Sequence, residues 1–141
     1  MIIMAVDLGK ARTGIAICDK LEMLSSPLTQ ISEYNRERLL EKISNLAKEK
    51  KAELIVVGLP KNMDGSEGDS AKSAREFAEK LAEMSGIKVD MQDERGTTIT
   101  AHNYLNFTDT RGKKRKNVVD TVAATIILED YLNKRKNLAN N

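Results

Sequence analysis

The alternation of apolar and polar segments along the chain predicts strands first and then a mixture of helices and strands. Two apolar, β-branched runs at residues 2–6 and 13–18 flank a short polar segment with Gly9, a pattern typical of a β-hairpin. Residues 23–31 are expected to add an edge strand, because Pro27 cannot donate a ladder hydrogen bond. The first part of the chain therefore predicts three consecutive strands.

The rest of the chain alternates helical periodicity with short apolar runs. Apolar residues at helical spacing predict four helices, at residues 39–47, 69–84, 99–105 and 118–132. Two further runs, at residues 54–57 and 87–91, predict strands. Strands separated by helices imply parallel crossover connections, so the later strands should extend the first hairpin into a mixed sheet.

Composition limits the choices without deciding the function. The 141 residues suit one domain, residues 1–141, and 23 Lys and Arg against 21 Asp and Glu leave a net charge of only +2. The single cysteine, Cys18, lies in a strand pattern and is expected to be a small core residue in a reducing compartment. No apolar run approaches the roughly 20 residues that span a bilayer, so we expect a cytoplasmic protein without membrane contact.

Acidic residues follow two of the predicted strands. Asp7 emerges from the first strand, and Asp93 and Glu94 come shortly after the strand predicted at residues 87–91. The carboxyl ends of strands in such sheets are a common place for chemistry. The alternative for Asp7 is that it begins a turn, where Asp is frequent because its side chain bonds nearby backbone amides.

The last predicted helix carries an acid on its packing face. Asp120 shares one stripe with Ala123, Ala124, Ile127 and Tyr131, because residues three, four and seven apart lie on the same side of a helix. A carboxylate placed there needs a cation, hydrogen-bond donors or a raised pKa. The alternative is that Asp120 only complements the helix dipole in the first turn.

Asp7, Glu94 and Asp120 would meet if the last helix packs across the sheet. Carboxylates brought together repel one another, and a divalent cation relieves that repulsion. Ligand sets made only of oxygen suit Mg²⁺ or Mn²⁺ rather than zinc, and two such ions can activate water for phosphodiester cleavage. We therefore predict a metal-dependent nuclease in which these three acids are the catalytic residues and metal ligands.

Basic residues are concentrated at residues 107–117, which we expect to form a mobile loop because like charges repel. Such a loop either binds phosphate groups or is simply solvated. Lys61, in the turn-forming segment 61–66, presents a similar choice between ligand contact and a structural turn. Residues 136–141 are expected to be a frayed tail. The cations of the basic segment are Arg111, Lys113, Lys114, Arg115 and Lys116.

Five short motifs in order carry a resemblance to a known family. They are Asp7-x-Gly9, Arg12-x-Gly14, the stretch from Gly58-Leu59-Pro60 to Asp64-Gly65-Ser66, Asp93-Glu94-Arg95-x-Thr97-Thr98, and Asp120-x-x-Ala123-Ala124. Together they resemble the YqgF family, also called RuvX, whose members are described as pre-16S rRNA nucleases and formerly as Holliday junction resolvases. The similarity runs over nearly the whole chain. Two departures are Gly96, where the family often has Leu, and Ala11, where a basic residue is common.

The resemblance implies an RNase H-like α/β fold, with a five-stranded mixed sheet of order 3-2-1-4-5 and helices on both faces. It implies a nuclease site on Asp7, Glu94 and Asp120, with Asp93 as a further candidate ligand. Arg12, Arg95, Lys61 and the basic segment would then hold the phosphates that flank the cleaved bond. Structured nucleic acid is the implied substrate class.

Several functions stay open on the sequence. Processing of pre-16S rRNA ends is favoured, with cleavage of branched DNA junctions as the alternative and a monomer or weak homodimer as the acting form. A non-catalytic module that binds nucleic acid would keep the same basic residues. The segment from Asp7 to Gly9 also resembles the first phosphate motif of actin-like phosphotransferases, although those enzymes need a second domain for which this chain has no residues.

Overall fold

The computed structural model describes residues 1–62, 64–93 and 112–139, without the side chains of residues 112–120 and 139. The predicted helix at residues 99–105 lies outside this part of the chain. The elements, in order, are β1 (Ile3–Asp7), β2 (Arg12–Cys18), β3 (Ser25–Ser32), α1 (Arg36–Glu49), β4 (Leu54–Leu59), α2 (Asp69–Ser85), β5 (Lys88–Asp93) and α3 (Gly112–Ala139).

The five strands form one mixed sheet in the order β3-β2-β1-β4-β5. The antiparallel pairs β1–β2 and β2–β3 build the predicted meander, and β4 pairs in parallel with both β1 and β5. Pro27 lies in the edge strand β3, where a register shift opposite Ile15 and Ala16 accommodates it. The predicted RNase H-like sheet order, 3-2-1-4-5, is confirmed.

Strict alternation along β1 and β4 divides the core between the two faces of the sheet. Met4 and Val6 of β1 pack in one cluster with α1 and α2, whereas Ile3 and Ala5 pack in the other with α3. Strand side chains point to opposite faces in turn, so both faces of these central strands are apolar because both are covered. The same alternation identifies the face on which each polar residue at a strand end lies.

Helices α1 and α2 form as their periodicity predicts. Leu39, Leu40, Ile43 and Ala47 form the buried stripe of α1, and the side chain of Asn35 caps the helix by accepting the N–H of Arg38 at 3.0 Å. Helix α2 ends at Gly86, which has a left-handed backbone at φ 71°. The buried stripe of α2 comprises Ala71, Ala74, Phe77, Ala78, Leu81 and Ser85.

Helix α3 is longer at both ends than the sequence prediction. It begins at Gly112 rather than near Val118, so Lys113, Lys114, Arg115 and Lys116 lie on helical backbone and not in a loop. Lys and Arg are good helix formers, and repulsion between exposed neighbours costs only about 0.2 to 0.5 kcal/mol per pair, so charge alone does not stop the helix. The predicted loop at residues 112–117 is therefore wrong, and residue 111 and its predecessors from 107 lie outside the described residues.

The carboxyl end of α3 shows that a second prediction is wrong. Residues 136–139 were expected in a frayed tail, but they belong to the helix. Arg135 Nε donates to Glu22 Oε1 at 2.7 Å and ties the last turns of α3 to the connection between β2 and β3. Cations near a helix carboxyl end also complement its dipole. Among the described helices, none combines the length and the hydropathy that crossing a membrane demands.

Candidate functional site

Asp7 ends the central strand β1 at the rim of the sheet. The four residues before it are fully buried, whereas Asp7 itself is half-buried. Ile3 and Ala5 belong to the cluster under α3, and strand alternation assigns Asp7 to the same face. Asp7 therefore lies on the α3 side of the sheet, where β1 leaves the core.

The strand positions beside Asp7 carry no side chains. Gly14 of β2 is its antiparallel partner, and Gly58 of β4 follows Val57, the partner of Val6. One more step of that parallel register brings Gly58 beside Asp7. Because glycine has no side chain, the two strand positions directly beside Asp7 are free of side chains on its face.

A tight connection between β1 and β2 brings Arg12 to the same edge. A side chain at Gly9 would place its Cβ 2.1 Å from the carbonyl oxygen of Arg12, so the close approach requires glycine. Arg36 Nη1 supports the connection by donating to the Gly9 carbonyl at 2.9 Å, a contact that the sequence pattern did not reveal. Arg12 alternates with Ala16 and Cys18 of the α3-side cluster and so shares the face of Asp7.

The segment after β4 contains a well-bonded turn. Asn62 N donates to the Ser66 carbonyl at 2.8 Å, and Ser66 N donates to Asp64 Oδ1 at 2.9 Å. Gly65 takes the positive φ of 92° that the turn requires. Asn62 and Asp64 thus stabilise the turn, which is the structural alternative given above for this segment. Lys61 lies two residues after the carboxyl end of β4.

Asp93 is the last residue of β5, and the strand pairing identifies the face of the sheet on which it lies. Val89 and Met91 pack against the cluster under α1 and α2, and Asp93 shares their alternation and pairs with Leu59 of that cluster. Strand geometry therefore assigns Asp93 to the face opposite Asp7. Glu94 and Arg95 lie outside the described residues, and their predicted roles stay predictions.

Helix α3 covers the sheet with the stripe that Asp120 was predicted to share. Ala123, Ala124, Ile127 and Tyr131 are each at most 6% exposed, and the last three pack with Ile3 and Ala5. Positions 120, 124 and 127 share one side of a helix, so the backbone of α3 carries residue 120 on the side that faces the sheet. Asp120 is in the helix, but its side chain is not among those described.

A hydrogen bond joins β5 to α3. Tyr131 Oη donates to Asp90 Oδ2 at 2.7 Å, and the Met91 N–H donates to Asp90 Oδ1 at 2.8 Å. Burial alone would raise the pKa of Asp90, but these bonds, together with the charges of Lys134 and Lys88, lower the pKa below its usual value. Burial, together with the Asp90 carboxylate, raises the pKa of Tyr131 to about 12. Both shifts favour a protonated tyrosine donating to an ionised aspartate at neutral pH.

A pair of ionic contacts through Glu22 links α3 to the amino-terminal residue. Glu22 accepts hydrogen bonds from Arg135 and from the terminal ammonium of Met1. The bond from Arg135 is the main cause that lowers the pKa of Glu22, although burial opposes it. This contact lies at the end of the sheet remote from Asp7, and it serves to fix α3 rather than to do chemistry.

One polar side chain near the site lacks a partner among the described residues. Gln92, the residue before Asp93, has a buried Oε1 atom to which none of them donates a hydrogen bond. In the part of the chain that the structure describes, no three acidic, histidine or cysteine side chains gather as metal ligands. Of the predicted metal ligands, only Asp7 and Asp93 have described side chains.

A family model described as "RuvX: Holliday junction resolvase" matches residues 1–134. The chain belongs to the RuvX family. This RuvX chain is 42% identical over 134 residues to a Clostridium botulinum (strain Alaska E43) protein named "Putative pre-16S rRNA nuclease", covering 95% of this chain and 98% of that protein. It is 43% identical over 138 residues to a protein of the same name from Halothermothrix orenii, with 98% and 99% covered.

Solved structures with the same fold agree with RuvX membership. Thermus thermophilus RuvC superimposes with a TM-score of 0.59 at 12% identity, covering 97% of each chain. The fowlpox virus Holliday junction resolvase gives a TM-score of 0.56 at 14% identity, with 95% of this chain and 99% of that chain covered. At such identities the likeness concerns the fold, which is the RNase H-like fold that the RuvX motifs imply.

Proposed function

We propose that this RuvX chain is a divalent-metal-dependent nuclease that cleaves phosphodiester bonds in structured nucleic acid. The observation that carries the proposal is the position of Asp7, at the rim of the sheet on the face covered by α3. Asp120 lies on that helix, and Glu94 follows directly after β5 in the sequence. Asp7 and residue 120 therefore lie on elements that pack together on one face of the sheet, and Glu94 is proposed to join them from the position after β5.

The donor chemistry fits Mg²⁺ or Mn²⁺. Asp7, Glu94 and Asp120 would hold the ions, with Asp93 as a weaker candidate because its strand alternation separates it from Asp7. Cys18 is 5% exposed and accepts the N–H of Ile3, so its thiol is committed to the core. An oxygen-only set matches hard cations, and the buried Gln92 Oε1 adds a neutral acceptor on the same face.

The bound ions would supply an activated water and stabilisation of the leaving oxygen. The chain's own residues would do the positioning. Arg12 lies on the face and at the edge that carry Asp7, which supports the proposal that it holds a phosphate beside the cleaved bond. Lys61, Arg95 and Arg111 are proposed for neighbouring phosphates, since cations bind the backbone without selecting sequence.

The basic start of α3 supports a polyanionic substrate. Lys113, Lys114, Arg115 and Lys116 stand at the amino end of a helix, and no acidic residue occurs in its first turn. Cations at that end oppose the helix dipole, so phosphate groups bound there would relieve an unfavourable charge arrangement. This electrostatic argument favours nucleic-acid binding over simple solvation of the segment.

Precursor 16S rRNA is the proposed substrate. The relatives at about 40% identity over nearly their whole length bear that name, whereas the resolvases among solved structures are related by fold alone. A junction resolvase would also need a two-fold dimer to cut two strands symmetrically, whereas a monomer suffices to cut one RNA strand. An rRNA substrate places the proposed activity in the cytoplasm.

The test incubates wild-type protein and the Asp7→Asn variant with precursor 16S rRNA and with a four-way DNA junction, in Mg²⁺ and in Mn²⁺. We expect wild-type protein to cleave the RNA, and Asp7→Asn to lose cleavage by at least about 100-fold, since it removes a shared metal ligand. Its thermal unfolding should match that of the wild type. Products are measured on denaturing gels.

Asp19→Asn is the matched control. Asp19 lies beyond the opposite end of β2 and is exposed, and its Oδ1 caps a turn by accepting the N–H of Met23 at 2.9 Å. An asparagine retains that acceptor, so this variant should cleave normally. Undiminished cleavage by Asp7→Asn would overturn the assignment. Binding of RNA by wild-type protein without metal-dependent cleavage would favour the non-catalytic module instead.

A further inference from the structure

Gln92 lies on the same face of the sheet as Asp7. Two residues earlier in β5, Asp90 accepts a hydrogen bond from the Tyr131 hydroxyl of α3, while the intervening Met91 packs toward α1 and α2. Strand side chains alternate, so Gln92 shares the α3 side with Asp90. The sequence alone did not single out Gln92, because its face follows only from the contacts of its neighbours.

Gln92 and Asp7 also lie in one row across the sheet. Gln92 pairs with Gly58 in the parallel register of β4 and β5. Gly58 is the position that the register of β1 and β4 brings beside Asp7. Two strand spacings of about 4.8 Å each separate the Asp7 and Gln92 backbones, and only a glycine stands between them. The strand position between their side chains is therefore occupied by a residue without a side chain.

The Gln92 side chain presents an unmatched acceptor in that row. Its Oε1 is buried, and no donor in the described part of the chain contacts it. Buried polar atoms are nearly always paired, so a buried acceptor without a donor costs stability and needs an explanation. A donor that belongs to a ligand rather than to the protein would supply one.

Thr13 shows why location matters. Its Oγ1 is the other buried side-chain atom without a partner among the described residues. Thr13 alternates with Ile15 and therefore faces the cluster under α1 and α2, away from Asp7. Each of the two unpaired atoms lowers the stability of the fold in the same way, but only Gln92 Oε1 lies next to the proposed metal site.

We propose that Gln92 is a positioning residue of the metal site, whose Oε1 accepts a hydrogen bond from the hydration shell of the divalent cation held at Asp7. The proposal rests on the proposed function. A neutral amide oxygen suits this place, because a further carboxylate would add repulsion to a site that already gathers acids. Polar groups that orient a metal's immediate ligands typically contribute 10- to 100-fold to its affinity.

The test measures Mn²⁺ alone binding to metal-free protein by electron paramagnetic resonance, and thermal unfolding in a chelator. Gln92→Met keeps the side chain's length and removes the acceptor. We expect it to weaken Mn²⁺ binding about 10-fold and to leave the metal-free midpoint equal or higher, because an unpaired buried acceptor is removed. Thr13→Val is the matched control, with an equal or higher midpoint and unchanged Mn²⁺ affinity.

Three outcomes would overturn the proposal. Unchanged Mn²⁺ affinity in Gln92→Met removes the role in metal positioning, and a lowered midpoint in the chelator indicates an ordinary structural side chain. If Gln92→Met does not fold, Gln92→Glu decides, since it should alter Mn²⁺ affinity at least several-fold and an unchanged value refutes the idea. The Asp7→Asn variant distinguishes failure of the Gln92 proposal from failure of the proposed function. If its Mn²⁺ binding equals that of the wild type, the proposed function fails as well.

Discussion

Tyr131→Phe should loosen the attachment of α3 to β5 without disturbing the core. The substitution deletes the hydroxyl that donates to Asp90 Oδ2 at 2.7 Å and keeps the ring, which is packed with Ile3, Ala5 and Ile127. Tyr131 is 6% exposed, but Asp90 is an exposed residue whose carboxylate can regain water in the variant. The variant therefore loses one hydrogen bond and leaves no buried charge behind.

The expected decrease in the free energy of unfolding is about 1 kcal/mol. This is below the roughly 1.5 to 3 kcal/mol typical of hydrogen bonds to charged groups, because Asp90 is partly screened by solvent. For a chain of this length that loss lowers the unfolding midpoint by about 3 to 4 °C at neutral pH. Asp90→Asn should lose less stability, since an amide oxygen can still accept the hydrogen bond from the tyrosine hydroxyl. Tyr34→Phe is the control, because Tyr34 is 80% exposed.

The pH dependence of the loss follows from two opposite pKa shifts. The pKa of Asp90 is lowered in the fold, so its contribution is present above the unfolded value, about 3.9, and disappears as the pH falls through the folded value. The pKa of Tyr131 is raised to about 12, so its contribution is present below the unfolded value, about 10, and disappears as the pH rises toward 12. Midpoints of wild type and Tyr131→Phe should therefore differ most between about pH 5 and 9.

Calorimetry or circular dichroism across that range provides the measurement. Equal midpoints for wild type and Tyr131→Phe at pH 7 would refute the assigned bond. A difference that does not shrink as the pH is lowered until Asp90 is protonated would show that the lost stability comes from packing of the ring edge and not from the hydrogen bond to the ionised Asp90.

Two further substitutions test the hairpin and the basic start of α3. Gly9→Ala should destabilise the protein by about 1 to 3 kcal/mol, because the new Cβ would meet the Arg12 carbonyl oxygen at 2.1 Å; an unchanged unfolding midpoint would contradict that close approach. Exchanging Lys113 and Lys114 together for Gln should weaken RNA binding and lower the slope of log affinity against log salt by about 1 unit for each phosphate that the variant no longer neutralises. An unchanged slope in filter-binding assays would argue that these lysines do not bind phosphate.

The central strands were predictable because their pattern is unambiguous. Residues 54–57 are apolar throughout, which indicates a strand covered on both faces, and the structure buries them between α1 and α2 on one side and α3 on the other. The helical stripes were equally clear, since residues such as Ile43 and Ile127 are buried at the predicted spacing. Hydrophobic periodicity reports burial directly, so elements defined by burial were found.

Features that depend on contacts between distant segments were not predictable in this way. The start of α3 was misplaced because a run of cations signals repulsion, while their individual helix propensities favour extension. Arg36 and Gln92 gave no signal, because the role of each depends on where another strand or loop lies. The position of Asp7 was foreseen, and its separation by face from Asp93 required the register of β4 and β5.

The arrangement of the sheet explains why the proposed chemistry can be removed without unfolding the protein. The described core side chains of β1 precede Asp7, and those of α3 follow position 120, so these parts of the two cores pack without Asp7 or Asp120. Gly14 and Gly58 keep the strand positions beside Asp7 free of side chains, which sacrifices buried apolar area at that edge. Helix α3 packs on the sheet through Ile127, Leu128 and Tyr131, away from the site. We therefore expect Asp7→Asn to lose the proposed activity and to remain folded.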